Sequence, residues 1–150
     1  MPRLVLETLV AAPARDCFDL SLSVDAHTAS MSRSGERIIG GVGSGTMGPG
    51  DSVTWQARHF GIPFRMTSRI TEYDAPNRFV DEQASGPFDR WWHEHRFEEA
   101  DGTTTMTDIV EFNSPLGPLG KLVDALILTR YMTRLLTQRN RWLVEALRSS

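Results

Sequence analysis

The 150-residue chain holds a single cysteine, Cys17, so no disulfide can form within it and stability has to come from an apolar core. Long apolar runs are missing too. No stretch approaches the roughly 20 residues that a membrane-spanning helix needs, and no charged-then-apolar segment at the start resembles an export signal. A soluble cytoplasmic protein is the expectation. Excess positive charge is also absent, and a formal net charge of -3 argues against nucleic acid as the main partner. The glycine-rich stretch from Gly43 to Asp51 lacks the Lys-Ser/Thr of a phosphate-binding loop and runs into a strand rather than a helix, so no nucleotide is expected there. No motif asks for a cofactor. Cys17 has no base identified beside it, which argues against nucleophilic catalysis.

What is present is a long C-terminal helical pattern. From Leu119 to Arg148 there is neither Gly nor Pro, and the helix-breaking pairs Ser114-Pro115 and Gly117-Pro118 stand just ahead of it. Leu128, Met132, Leu135, Leu136, Leu143 and Leu147 share one side at helical spacing, with Arg130, Arg134, Arg141, Glu145 and Arg148 opposite. This segment carries Lys121 and five Arg in all, read as a solvated basic face. Upstream, Leu119, Leu122, Val123, Leu126 and Ile127 form a stripe rotated away from the first, which predicts a bend near Ile127 to Thr129. Such a helix is about 45 Å long, more than one small sheet covers. Part of it must therefore meet a second helix, a ligand or a partner chain, a homodimer mate among them.

Ahead of the helix the signals are mostly those of strands. Arg3 to Ala12 alternates and ends at Pro13, and Pro13 to Met31 reads as two short helices broken near Ser23 to Asp25. Further strands follow at Arg37 to Val42, Val53 to Phe60, Phe64 to Tyr73, Phe79 to Ser85, Asp89 to Glu98 and Thr103 to Asn113. A turn at Gly61-Ile62 would place Val53, Trp55, Ala57, His59, Phe64, Met66, Ser68 and Ile70 on one inner face. Asp101-Gly102 is a stronger turn signal. It sets Trp91 opposite Phe112, His93 opposite Val110, His95 opposite Asp108 and Phe97 opposite Met106. Phe97, Met106, Val110 and Phe112 mark that face as buried, so His93, His95 and Asp108 are carried inward with it. The predicted fold is α+β: a strongly curved antiparallel sheet of about seven strands around a long C-terminal helix, with two short helices after the first strand.

This order of elements resembles the helix-grip fold of the START-like superfamily, also called SRPBCC, which includes birch-pollen-allergen-type proteins, lipid-transfer domains and polyketide cyclases/dehydrases. The segments "RHFGIPFRMTSRITEYD", "RFVDEQASGPFDRWWHEHRFEE", "MTDIVEF" and "PLGPLGKLVDAL" are similar to a bacterial branch of it. Resemblance covers nearly the whole chain and implies one START-like domain over residues 1–150 with an internal cavity, but no particular reaction.

The inward His93, His95 and Asp108 are the candidate catalytic set. A carboxylate opposite His95 could orient its imidazole or raise its pKa. Glu82 is expected to join them, on a strand side shared with Val80 and Ala84. Trp55, Met66, Trp91, Phe97, Met106, Phe112, Leu126, Met132 and Leu136 complete the expected lining of a site for a small hydrophobic or amphipathic molecule. Three other readings stand beside it: a satisfied buried hydrogen-bond network with no ligand, acid/base chemistry on a polyketide-like substrate, and an interaction module. A metal is not expected, although two His and a carboxylate at this spacing allow one.

Overall fold

Strand β1 (Arg3–Val10) is followed by helices α1 (Ala14–Ser21) and α2 (Val24–Ser30) and then by six strands in series. These are β2 (Arg37–Gly41), β3 (Ser52–His59), β4 (Ile62–Asp74), β5 (Arg78–Ser85), β6 (Arg90–Ala100) and β7 (Thr103–Asn113), and helix α3 (Thr129–Arg148) comes last. The computed structural model describes residues 3–31, 36–59, 61–113 and 127–148. All seven strands form one curved antiparallel sheet in the order β1-β7-β6-β5-β4-β3-β2, the α+β helix-grip architecture expected from the sequence. Strand β1 closes against β7 along its full length, from Arg3 opposite Glu111 to Val10 opposite Thr104. No helix among the described residues is long and apolar enough to cross a membrane.

The turns decide which faces point inward. Asp101 and Gly102 both take positive φ, 54° and 78°, as the tight turn that matches strand twist requires. Every β6–β7 pairing derived from it is observed, including His95 with Asp108. The β3–β4 hairpin turns one residue earlier than expected. His59 pairs with Ile62, and Trp55 with Met66 rather than Ser68. Branched Ile62 stays extended in the strand, while Gly61 takes the positive φ of 75°. Because the pairing moves by two residues, the same side chains remain on the inner face.

The break between α1 and α2 also has a local cause. Ser23 caps α2 by accepting a hydrogen bond from the Ala26 amide at 3.1 Å. The same break is tied to the glycine-rich loop, where the Val24 amide donates to the Gly45 carbonyl at 2.8 Å and the Met47 amide to Leu22 at 3.0 Å. At the start of α1, Pro13 offers no side-chain cap. A carboxylate oxygen of Glu99, from the end of β6, accepts the Ala14 amide at 2.7 Å instead.

Ile127 and Leu128 form a π-type turn ahead of α3, at the place where the sequence predicts a bend. Leu119, Leu122, Val123 and Leu126 lie outside the described residues. Two apolar clusters make up the core. The larger gathers α1, α2 and residues of β1 and of β3 to β7 around Phe18, with Leu143 arriving from α3. Leu4, Val110, Phe112 and Leu136 form the smaller one. Phe18 is fully buried and meets Tyr73, Phe79 and Phe97 edge to face at centroid separations of 5.4 to 5.5 Å. Phe18→Ala should therefore cost about 3 to 5 kcal/mol in urea unfolding, whereas Leu9→Ala, on the solvent side of β1, should change stability by under about 0.5 kcal/mol. Equal effects from the two would refute this assignment of the core.

Candidate functional site

Alternation along β6 carries His93 and His95 to the inner face, and Asp108 of β7 stands between the two apolar clusters. Each imidazole lies between two carboxylates. His93 donates from Nε2 to Asp108 Oδ1 at 2.8 Å and turns Nδ1 toward Asp81 Oδ2 at 3.7 Å. His95 has the opposite arrangement, donating from Nε2 to Asp81 Oδ2 at 2.6 Å with Nδ1 3.5 Å from Asp108 Oδ1. The two rings stack at 3.8 Å, and Phe79 covers the other face of His95 at 4.0 Å. Both histidines are about 4% exposed, so their positions are set by packing as well as by hydrogen bonds.

Behind them, α3 supplies what the strands cannot. Arg139 Nη2 donates to Asp108 Oδ1 at 2.6 Å and Asn140 Nδ2 to Oδ2 at 2.8 Å, and Asn140 also reaches Thr8 Oγ1 of β1 at 2.9 Å. Arg139 in turn bonds the Asn140 amide oxygen from Nε at 3.0 Å. One buried carboxylate thus joins β7, β6 and α3, and through Asn140 β1.

Burial would raise the Asp108 pKa, but the Arg139 guanidinium, followed by the His93 hydrogen bond, holds it well below the usual carboxylate value. Asp81 is lowered too, as the neighbouring histidines outweigh its own burial. For His95 burial outweighs the carboxylates. Burial first, then the neighbouring His93, pushes it down to about 4 in spite of its bond to Asp81.

Between α3 and the sheet lies a cavity of about 620 Å³. Trp55, Met66, Trp91, Met132 and Leu136 line it, with His93 and His95 exposing their inner edges to it. Phe97, Met106 and Phe112 do not reach it and pack within the two apolar clusters. Asp108 is screened from it by the imidazoles that it orients. Leu126 lies outside the described residues. Glu82 is a correction: it pairs with Trp92 and faces outward, and Asp81, paired with His93, takes the inward place. Bulges between β4 and β5, at Thr67/Ser68 and Ile70/Glu72, break the simple alternation that points to Glu82.

Arg139 is a second correction, since it lies 8% exposed in the network rather than on a solvated face. Further cavity residues carry polar groups that no motif announces. His59 Nδ1 is 2.6 Å from the Tyr131 hydroxyl, burial lowers the His59 pKa and raises that of Tyr131, and His27 pairs with Glu36 beside Trp55. Of the glycine-rich loop, only Met47 contributes to the wall. Asp81, His93 and His95 also present donor atoms that all lie within 4.8 Å of one another, the one such group of three among the described residues.

The model of the family described as "Polyketide cyclase / dehydrase and lipid transport" matches residues 1–148. No curated protein matches the sequence. Among solved structures, TTHA0849 from Thermus thermophilus is similar with a TM-score of 0.75 at 17% identity, over 97% of this chain and 99% of that one. The Zhui aromatase/cyclase from Streptomyces sp. R1128 gives 0.74 at 14% identity, over 98% and 93%. A START superfamily protein from Mycobacterium smegmatis gives 0.72 at 13%, over 97% and 98%. At these identities the likeness is one of fold.

Two expectations follow from the network. Arg139→Met leaves Asp108 buried without its cation and should destabilise the protein by about 3 to 5 kcal/mol in urea unfolding; a loss below about 1 kcal/mol would show that the pair is not structural. Acid should also weaken the fold through His95. Its folded pKa lies below the ordinary 6.5, so the unfolded chain takes up the proton first and stability is lost as pH falls from 6.5 toward about 4. The full loss is about 3 kcal/mol. Below that range Asp81 and Asp108 add to it, their contributions being present above 3.8 and lost as pH falls through their lower folded values. Unfolding followed against pH with EDTA present tests this, and a wild-type slope no steeper than that of His95→Gln would refute it.

Proposed function

The chain belongs to the polyketide cyclase/dehydrase and lipid transport family, and from that premise we propose that it binds a small hydrophobic or amphipathic molecule between α3 and the sheet. The observation that carries this is the cavity of about 620 Å³, a volume within the range of about 300 to 1,000 Å³ usual for ligand sites. Apolar side chains such as Trp55, Met66, Met132 and Leu136 make most of its wall, so burial of apolar ligand surface drives binding. Polar groups are few and grouped. His93, His95, Asp81 and Arg139 stand in one cluster, and His59, Tyr131, His27 and Glu36 reach the wall elsewhere, with Ser21, Ser23 and Ser68 beside them. Such groups orient a bound molecule by accepting or donating to its oxygens. The whole chain acts as one cytoplasmic domain in this reading, with Cys17 buried as a small core residue.

A specific observation favours a second reading, proton transfer within the same cavity. His95 is held neutral near pH 7 and hydrogen-bonded to Asp81 at the cavity wall, a state from which an imidazole can move a proton to or from a bound carbonyl compound. Binding ranks ahead of chemistry because the cavity is present whether or not a proton moves.

A thermal-shift and native mass-spectrometry panel of fatty acids, sterols and polycyclic aromatic compounds tests the binding reading. At least one class should raise the melting temperature at saturating concentration, and Met132→Trp, which narrows the cavity, should reduce that shift while the protein stays folded. A panel without any stabilising or co-purifying compound, or a shift unchanged in Met132→Trp, would count against the cavity as the site. With a turned-over ligand, His95→Ala separates the two readings: turnover lost with affinity kept indicates chemistry, and affinity lost in proportion indicates binding alone.

A further inference from the structure

We propose that Asp81, His93 and His95 form a site for one divalent transition-metal ion of the zinc, cobalt or nickel type, at the cavity wall and independent of the apolar ligand. Asp81 Oδ2 lies 2.6 Å from His95 Nε2 and 3.7 Å from His93 Nδ1, and all three donors fall within 4.8 Å of one another. Ligand atoms about 2.1 Å from a common ion stand roughly 3 Å apart, so side-chain rotations of about an ångström suffice. Two imidazoles and one carboxylate are a donor set that such ions accept, and three protein ligands leave coordination positions turned to the cavity.

The stronger argument is what lies behind the histidines. Ligating imidazoles are usually fixed by a carboxylate on the far ring nitrogen. Asp108 occupies that place for both rings. It already receives His93 Nε2–H at 2.8 Å, which leaves His93 Nδ1 as the lone-pair nitrogen facing Asp81. It also lies 3.5 Å from His95 Nδ1. If the His95 proton moves from Nε2 to Nδ1, Asp108 accepts it in a hydrogen bond and Nε2 is freed toward Asp81 without any net release of protons. Asp108 itself is fixed by Arg139 and Asn140, so the site stands on a rigid support.

Charge points the same way. Asp81 and Asp108 bring two carboxylates into the interior, while the hydrogen bonds of Arg139 go to Asp108 and Asn140. That leaves Asp81, its side chain 17% exposed, held by imidazoles. A cation at this point offsets a carboxylate that burial would otherwise penalise.

The test uses the full chain, stripped with EDTA and dialysed. Titration with Co2+ should give visible ligand-field absorption that saturates at one equivalent and is displaced by Zn2+, and Cu2+ in the same site should show hyperfine coupling to imidazole nitrogens in electron paramagnetic resonance. Asp81→Asn and His93→Gln should each weaken Zn2+ binding by at least about tenfold in calorimetry, and Asp108→Asn by about 10- to 100-fold through the lost support. Glu82→Gln, next in sequence to Asp81 but outward-facing, should leave affinity unchanged. A wild-type protein that takes up no stoichiometric Co2+ or Zn2+ overturns the proposal, as does a Zn2+ affinity left unchanged by Asp81→Asn. The imidazole couplings need no variant, so they decide the matter even where a substitution impairs folding. Because the readout is the ion itself, failure here leaves the apolar-ligand reading standing, and failure of that panel leaves this one standing.

Discussion

The buried pair of Asp108 and Arg139 is the constraint on which the rest depends. An ionised carboxylate in an apolar interior is costly unless it is paired and fully hydrogen-bonded, and here the sheet and the final helix each hold one half of the solution. Helix α3 therefore has one registration against the strands, with Arg139 over β7 and Asn140 reaching across to Thr8 of β1. Apolar packing alone would tolerate sliding. Leu136 on one side and Leu143 on the other enter different clusters, and the polar seam between them fixes how far along the sheet each must fall. A gap remains between helix and sheet because the helix is held by that seam, by β1 and by the short helices, and not by continuous contact with the middle strands.

The cavity follows from the same division of labour. Phe97, Met106 and Phe112 share the inner face of β6 and β7 with the histidines, yet they serve to close the two clusters. The cavity is faced by Trp91 and the edges of His93 and His95, by the inner face of β3 and β4, by one side of α3 and by residues of the short helices. On the convex side the sheet also buries a charge. Glu94 is 3% exposed beneath Arg78 and Arg96, whose guanidinium groups both bond to it. Long arginine stems there cover the sheet as a second layer of helices does elsewhere.

The parts of this structure that are legible in the sequence are those written locally. Asp101-Gly102 admits one register, the alternation of Phe97, Met106 and Phe112 chooses the inward face, and the two histidines follow without further information. Where the register depends on something longer-ranged, the reading slips. The loop containing Gly86 and Pro87 leaves β5 free to pair in either parity, and bulges in the β4–β5 ladder, one on each strand, remove the alternation that would choose between them, so the sequence points to Glu82 in place of Asp81. Arg139 is hidden for a related reason. Spacing sets it three residues after Leu136 and four before Leu143, on the apolar side, but its charge alone suggests solvent, and its partner Asp108 lies on a strand that nothing in the helix sequence announces. The fall in the His95 pKa is hidden too, because it depends on Phe79 and His93 covering both ring faces, a fact of packing rather than of spacing.

The pairing of β1 with β7 carries a consequence for the order of assembly. Arg3 meets Glu111 and Val10 meets Thr104, so among the described residues the first strand pairs with the last alone. Hairpins from β2 to β7 can zip from their own turns, but β1 must search across the whole sheet before it gains a single ladder bond. Contacts this distant in sequence incur their loop-closure entropy before they return any stability, which slows folding. A chain in transit therefore exposes a branched, half-apolar strand with an unpaired edge, and it is in that interval that the protein is most open to pairing with another copy of itself.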